Sequence, residues 1–337
     1  MRKPKALRPD PHDVEHAIAI GDVVELGGAG VEILAIDEGV AATASCAAQV
    51  GVWRNGPLPA VPPDHFDCLL CAEPRPPAPW VGVESADLDG LVAKLAKSAE
   101  ANPVAASVLA QVLRMSPALD FQGALVAESL AYSMLLRASE FQRWRASAPP
   151  KPARSEAAER VGLIVEGNRL TITLRRPARR NAFDAAMRDA LADALQIALD
   201  MGPDMEVLLT GEGPSFSAGG DLGEFGSAKD PALAHAIRVL RSPAGLVHRL
   251  GHRLTAEVHG ACIGAGIEVP AAARRVVARR DAYFRLPEVG MGLIPGAGGT
   301  ASIPRRIGRQ RTFFMALSGL DIDASTALAW GLVDEVV

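Results

Sequence analysis

The chain has 337 residues, 49% of them hydrophobic, with a formal charge of −4, a mean hydropathy of +0.14 and a pI near 6.0. That is enough apolar sequence for one large core or two modest ones, and the slightly acidic balance offers no broad positive field to a polyphosphate backbone, so nucleic acid is not an expected partner. The least polar long run, 39–53, has 15 residues and includes Thr, Ser and Gln, too short and too polar to span a bilayer; MRKPKALRPDPHD at the start lacks an apolar stretch behind its basic residues. A soluble, cytoplasmic protein without a membrane partner is the expectation.

In chain order, VVELGGAGVEILAID (23–37) and FDCLLCAE (66–73) alternate or run apolar like short strands, while RNGPLPAVPPDH and EPRPPAPW are proline-rich loops. Residues 1–83 read as a small α/β segment. Of the four cysteines, Cys46, Cys68, Cys71 and Cys262, two, Cys68 and Cys71, form a CxxC that resembles half a zinc site or a redox pair. No second pair or nearby histidine completes it, so they read as small core residues, and no metal and no disulfide framework is expected.

Residues 84–146 place Leu, Val, Ala and Met at helical spacing in two segments, 84–115 and 120–144. The first is expected to break at Asn102 and Pro103, where proline opens a new helix. In the second, Leu125, Ser129, Tyr132 and Leu136 share one face. SAPPKPARSEAAER (147–160) has no apolar period and reads as a linker. Beyond it, 161–337 alternates strand and helix. GLIVEGNRLTITLRRP gives a hairpin turning at Gly167 and Asn168, Asp184 to Leu199 a helix, and Glu206 to Thr210 a strand whose Leu pair suggests cover on both faces. This is an α/β arrangement.

Three stretches carry chemistry. SFSAGGDL (215–222) leaves a strand through Gly219 and Gly220, where backbone N–H groups lack ladder partners and no Cβ keeps a ligand away. VHGACIGAGIE (258–268) repeats the design through Gly264, Ala265 and Gly266 into a helix whose first turn offers orphan N–H groups. Two such exits suggest two main-chain donors around one developing negative charge, an oxyanion hole, although tight turns alone also explain each of them. LPEVGMGLIPGAGGT (286–300) sets Glu288 before a dense Gly and Pro loop. Glu268 and Glu288, each with apolar neighbours, are candidates for shifted proton affinity and acid/base work.

FSAGGDL, VHGACIGAGIE, LPEVGMGLIPGAGGT and ALAWGLVDEV, in that order and preceded by RRPARRNAFDAAM, closely resemble the enoyl-CoA hydratase/isomerase (crotonase) family over about residues 160–337. The resemblance implies a ClpP/crotonase-type ββα superhelix and an acyl-CoA thioester substrate. It implies Gly220 and Ala265 as oxyanion donors and Glu268 and Glu288 as the catalytic glutamates. Ala182, Ala218, Gly219, Asp221, Leu222, Gly264, Pro295 and Gly296 fall at substrate-binding positions. With both acids present, it favours hydration of a 2-enoyl-CoA without metal or redox cofactor, in a homo-trimer or hexamer. Enoyl-CoA isomerase, acyl-CoA hydrolase and a non-catalytic acyl-CoA binding subunit are the alternatives.

Ala265 stands where glycine is more usual, Arg274 where the family often has an acid, and Pro270 is unusual. Members normally continue past the GLVDEVV segment into helices that close the acyl pocket, and the ESLAY and ASEF stretches of 84–146 look like those helices placed ahead of the core. A rearranged chain order is therefore expected, with 84–146 packing beside 290–337. The arginine groups at 175–180, 274–280 and 305–311 read mainly as solvated or subunit-facing, some suited to CoA phosphates. His235, His248, His252 and His259 read as structural.

Overall fold

A computed structural model describes residues 30–36, 47–147 and 159–337. The basic start, most of the first expected strand, Cys46 and residues 148–158 of the linker lie outside the described residues.

The front of the chain is a four-stranded parallel sheet in the order β1 (Val31–Ala35), β2 (Ala48–Trp53), β3 (Cys68–Cys71), β4 (Val81–Gly82). Strand β2, buried from Ala48 to Val52 and apolar but for Gln49, is one that the sequence reading did not single out as a strand. Alternation along β3 turns Cys68 and Leu70 toward the main core and Leu69 and Cys71 toward a second cluster with Phe66 and Trp80. The two thiols therefore face opposite sides of the sheet and do not share a ligand. Burial pushes the proton affinity of Cys68 and Cys71 up, as it does for Cys262, which keeps them as neutral thiols.

Helices α1 (Leu88–Ala101) and α2 (Pro103–Met115) divide at Asn102, as proline at the start of α2 dictates. The second helical segment also divides, into α3 (Phe121–Leu135) and α4 (Ser139–Ser147), where one run was expected. Glu140 of α4 turns back and accepts from the N–H groups of Val104 and Ala105 at 2.8 and 2.9 Å, capping α2 with a carboxylate that the helix dipole favours.

The hairpin β5 (Val161–Glu166) and β6 (Arg169–Leu174) forms in the expected antiparallel register, and α5 (Ala185–Asp200) starts under the Asp184 side chain, which accepts from Met187 N–H. Strand β7 (Glu206–Gly211) alternates in burial, with Val207 and Leu209 buried and Leu208 only half-buried. It is packed tightly on one face, and the expected cover on both is not found. Helices α6 (Pro231–Leu240) and α7 (Pro243–Leu250) follow, each opened by a capping side chain and a proline: Asp230 then Pro231, Ser242 then Pro243.

From here the chain repeats one device. Strand β8 (Leu254–Val258) lies in the main sheet, β9 (Ala261–Ile263) in a second sheet, and a single helical turn α8 (Ala265–Glu268) follows. Then β10 (Arg275–Ala278) returns to the main sheet, β11 (Tyr283–Arg285) joins the second, and a 3-10 turn at Glu288–Met291 leads to α9 (Gly299–Ser302). The chain closes with α10 (Pro304–Ser318), kinked at Gly308, then β12 (Ile322–Asp323), α11 (Ala324–Trp330) and β13 (Glu335–Val336). The main sheet runs β13-β10-β8-β7-β6-β5, parallel except at the β5–β6 hairpin. The second runs β12-β11-β9.

The expected helix after the second glycine exit is thus one turn long, because Pro270 supplies no N–H to extend it and starts a separate 3-10 turn. A turn that short has little macrodipole, so whatever Ala265 offers a ligand is its own N–H.

One hydrophobic cluster joins Val50 and Leu70 of the front sheet, Leu95 and Leu109 of the helices, and Leu209, Phe284 and Phe313 beyond residue 161. The front of the chain and 161–337 share a core. Helix α3 packs on α9, α1 and α2 on α10, and α4 on the turn at 288–291, so residues 88–147 lie against 288–318. A buried charge cluster ties the front sheet in as well. Asp67, 2% exposed, accepts from Arg309 of α10 at 2.9 Å, from Arg114 Nε of α2 at 2.9 Å and from Gln49 N–H at 2.9 Å.

Candidate active site

Serine 217 and Cys262 form a parallel bridge, with Ser217 N–H donating to Ala261 O and Ile263 N–H to Ser217 O. The two glycine-rich exits therefore leave side by side. Gly219 has φ +85°, and a Cβ there would meet Ile263 O at 2.6 Å, so only glycine permits the approach. Just beyond, Phe183 N–H donates to Gly219 O and Asp221 N–H to Phe183 O, which turns the intervening N–H of Gly220 the other way. Neither Gly220 N–H nor Ala265 N–H has a partner among the described residues, and both residues line the same cavity of about 550 Å³.

Both glutamates of the sequence reading line that cavity too. Glu268 is 2% exposed and accepts from Ala297 and Gly299 N–H at 2.7 and 2.9 Å through Oε2. Glu288 is 6% exposed, and its Oε2 is buried without a hydrogen-bond partner among the described residues. Gly264, at φ +50°, sits between them: a Cβ there would lie 2.6 Å from Glu288 Oε1 and 3.6 Å from Glu268 Oε1. The two oxygens are thus within about 6 Å of each other. Burial raises the proton affinity of both. Glu268 is pushed up to about 7, with its backbone donors opposing the rise, and Glu288 is driven well above the ordinary range by burial and then by the Glu268 charge. One ionised and one neutral carboxyl is the arrangement that this environment favours.

Of the other sequence-predicted positions, Asp221 and Gly296 line the cavity. Ala182, Ala218, Gly219, Gly264 and Pro295 build its frame: Ala182 O accepts from Arg176, Ala218 N–H donates to Arg180 O, and Pro295 packs beside Gly299. Leu222 is half exposed and off the cavity wall. Most arginines of the three groups are held by protein partners: Arg176 by Asp184 and Asp221, Arg306 by Asp334, and Arg311 by the carbonyls of Trp80 and Pro76.

The face of α3 picked out by helical spacing, Leu125, Ser129, Tyr132 and Leu136, lines the same cavity as the glutamates. What spacing left unmarked is Glu128 on the same helix. It accepts from Gly298 N–H at 2.7 Å, Thr300 N–H at 2.7 Å and Thr300 Oγ1 at 2.8 Å. Along the loop 297–300, then, alternate amides go to Glu268 and to Glu128. Burial pushes Glu128 up to about 8, the Glu268 charge adding to the rise and the donors from Thr300 and Gly298 resisting it. Arg238 of α6 was likewise missed as a cavity residue; Asp230–Pro231, a cap followed by proline, was the available signal for its helix.

Glu128→Ala is expected to strand three buried donors. The cost is about 2–3 kcal/mol of stability, seen as a lower midpoint in thermal or urea unfolding. Glu128→Gln, which keeps one acceptor, is expected to lose less. Equal stability of wild type and Glu128→Ala would show that the loop does not depend on this grip.

No helix among the described residues is long and apolar enough to cross a membrane. The sequence model of the enoyl-CoA hydratase/isomerase family matches residues 166–337. Among curated relatives, the chain is 38% identical to the mevalonyl-coenzyme A hydratase of Aspergillus fumigatus over 170 residues, covering 50% of this chain and 62% of that protein. It is 36% identical to the protein of the same name from Beauveria bassiana over 177 residues, covering 50% and 63%. The chain thus spans less than two thirds of the length of these relatives. The solved enoyl-CoA hydratase of Thermoplasma volcanium is 34% identical over 53% of this chain and 72% of its own, at a TM-score of 0.48. With the family's sequence covering half the chain on a crotonase-like α/β fold, this protein belongs to the enoyl-CoA hydratase/isomerase family.

Proposed function

We propose that the chain hydrates a 2-enoyl-CoA thioester across its C2=C3 bond, and that residues 88–147 do the work of the family's terminal helices from ahead of the core. The observation that carries the reading is the meeting of two unpartnered N–H groups, Gly220 and Ala265, with two buried carboxyls of unlike proton affinity in one cavity. Enolate-type charge forming on the thioester oxygen would be stabilised by the two N–H groups where it develops. Glu268, whose charged form the amides of Ala297 and Gly299 support, draws a proton from water as its oxygen attacks C3. Glu288, kept neutral by burial, supplies the proton at C2. Asp221 and Gly296 contact the substrate within the cavity, with Ala182, Ala218, Gly219, Gly264 and Pro295 shaping its walls.

The test is the loss of the enoyl thioester absorbance when crotonyl-CoA is added to the purified protein. Binding without that loss would favour a non-catalytic acyl-CoA binding subunit, release of free thiol a hydrolase, and conversion of a 3-enoyl-CoA alone an isomerase.

Gly220→Pro deletes one donor and is expected to lower kcat by about 100-fold or more. An added Cβ at 220 also meets the Phe225 ring, at 2.4 Å. Gly220→Ala carries that same contact while keeping the N–H, so the proline-to-alanine ratio isolates the donor. Equal rates for the two variants would remove Gly220 N–H from the mechanism.

A further inference from the structure

Arg238 of α6 points at the wall of the cavity formed by α3 and has no carboxylate within ion-pair distance among the described residues. Its Nε donates to Ser129 Oγ at 3.1 Å and its Nη2 to Ser133 Oγ, while Nη1 donates to no described residue. The guanidinium lies over the Tyr132 ring, 4.9 Å from its centroid. His235 Nδ1 meets the same Ser129 Oγ at 2.9 Å, so that hydroxyl is committed and fixes the guanidinium in place. Tyr132 in turn packs against Gly296, where a Cβ would meet its ring at 2.5 Å, and its hydroxyl has no hydrogen-bond partner among the described residues.

A half-buried cation held by two serine hydroxyls, the Ser129 carbonyl at 3.5 Å and a ring face has no carboxylate within ion-pair distance among the described residues, an arrangement that an anion would complete. Among the described residues, the more deeply buried Arg176 and Arg309 each have a carboxylate partner. Tyr132 lines the same cavity as Arg238, Glu268 and Glu288, with the Arg238 guanidinium over its ring. A short acyl chain that puts its reacting carbons beside the glutamates would run past this ring to the guanidinium.

We propose that the acyl group of the substrate is short and ends in a carboxylate, received by the open Nη1 edge of Arg238 with the Tyr132 hydroxyl beside it. This rests on the acyl-CoA reading above and specifies its substrate class. A guanidinium suits the role because it stays charged when half-buried and offers a planar pair of donors to a carboxylate. Serines 129 and 133 take two of its N–H groups and so set the direction of the remaining edge.

The test measures binding, so it stands apart from turnover. Dissociation constants of the full chain for glutaryl-CoA and for butyryl-CoA are compared by calorimetry, for wild type, Arg238→Met and Arg238→Lys. Wild type is expected to bind glutaryl-CoA at least about tenfold tighter. Arg238→Met is expected to bring the ratio near one, and Arg238→Lys to restore part of it. Equal affinities in wild type would overturn the proposal. So would a fall in both affinities together in Arg238→Met, which would assign the guanidinium to the CoA phosphates or to holding the carboxyl cluster. Failure of the hydratase reading looks different: crotonyl-CoA and an enoyl-CoA bearing a terminal carboxylate both stay unhydrated while the binding ratio persists.

Discussion

Glu288→Gln is expected to abolish hydration, lowering kcat by about 10³ or more, while acyl-CoA still binds close to the wild-type affinity. The substitution keeps shape and hydrogen-bonding capacity in a place where the native Oε2 already lacks a partner, so little is lost except the transferable proton. Retained binding with lost turnover is the signature, read by calorimetry with a saturated acyl-CoA beside the crotonyl-CoA assay. Full turnover by the variant would remove Glu288 from the chemistry.

The two carboxyls tie activity and stability to pH in opposite directions. Glu268 is the base and its folded value lies at about 7, so the wild-type rate is expected to fall as pH drops through that value. Glu288, held well above its ordinary 4.5 by burial and by the Glu268 charge, is the donor. For stability, a carboxyl whose folded value is raised releases its proton first from the unfolded chain. Its contribution is therefore largest below about 4.5 and is lost as pH climbs toward the folded value. Glu288→Gln removes that loss. The variant is expected to melt above wild type at pH 8, the gap closing toward pH 4.5. A constant gap across that range would mean that the carboxyl is not raised.

The second large effect lies 221 residues before Glu288 in sequence, at Asp67. Replacing it with Ala leaves Arg309 and Arg114 turned toward each other where a carboxylate had joined them, and removes the acceptor of Gln49 N–H. Breaking a buried pair by deleting one partner costs about 3–5 kcal/mol. The expected result is a large drop in the urea midpoint, with the front sheet losing amide-exchange protection before β6–β8. A triple replacement that also makes 114 and 309 apolar is expected to recover part of the stability, because no cation is then stranded. Unchanged unfolding of Asp67→Ala would mean that the front sheet is held by its apolar contacts alone.

Much of the site was legible in the sequence because its parts are backbone devices with local signatures. Glycines at 219, 220 and 264 announce close backbone approach wherever they fall, and Pro287 before Glu288 marks the end of a strand. Helix boundaries followed from proline and capping residues at 102–103 and 184 for the same reason. Helical spacing also found the cavity face of α3, since Leu125, Ser129, Tyr132 and Leu136 are neighbours on any helix. Other features depend on partners far along the chain. That β7 is packed on one face only, that Cys68 and Cys71 face apart, and that Glu128 grips Gly298 and Thr300 170 and 172 residues away are set by what folds against them.

By itself, then, the sequence determined the glycine exits, the two glutamates and the apolar face of α3, because short-range sterics and helical geometry act within a few residues of the chain. Tertiary structure decided how those pieces meet. It brought α3 to the cavity that holds Glu268 and Glu288, set Glu128 and Glu268 on alternate amides of one loop, and left Arg238 facing the cavity with serines for partners. Burial and the charge of distant neighbours fix proton affinity and ion pairing, and neither is a local property of the chain.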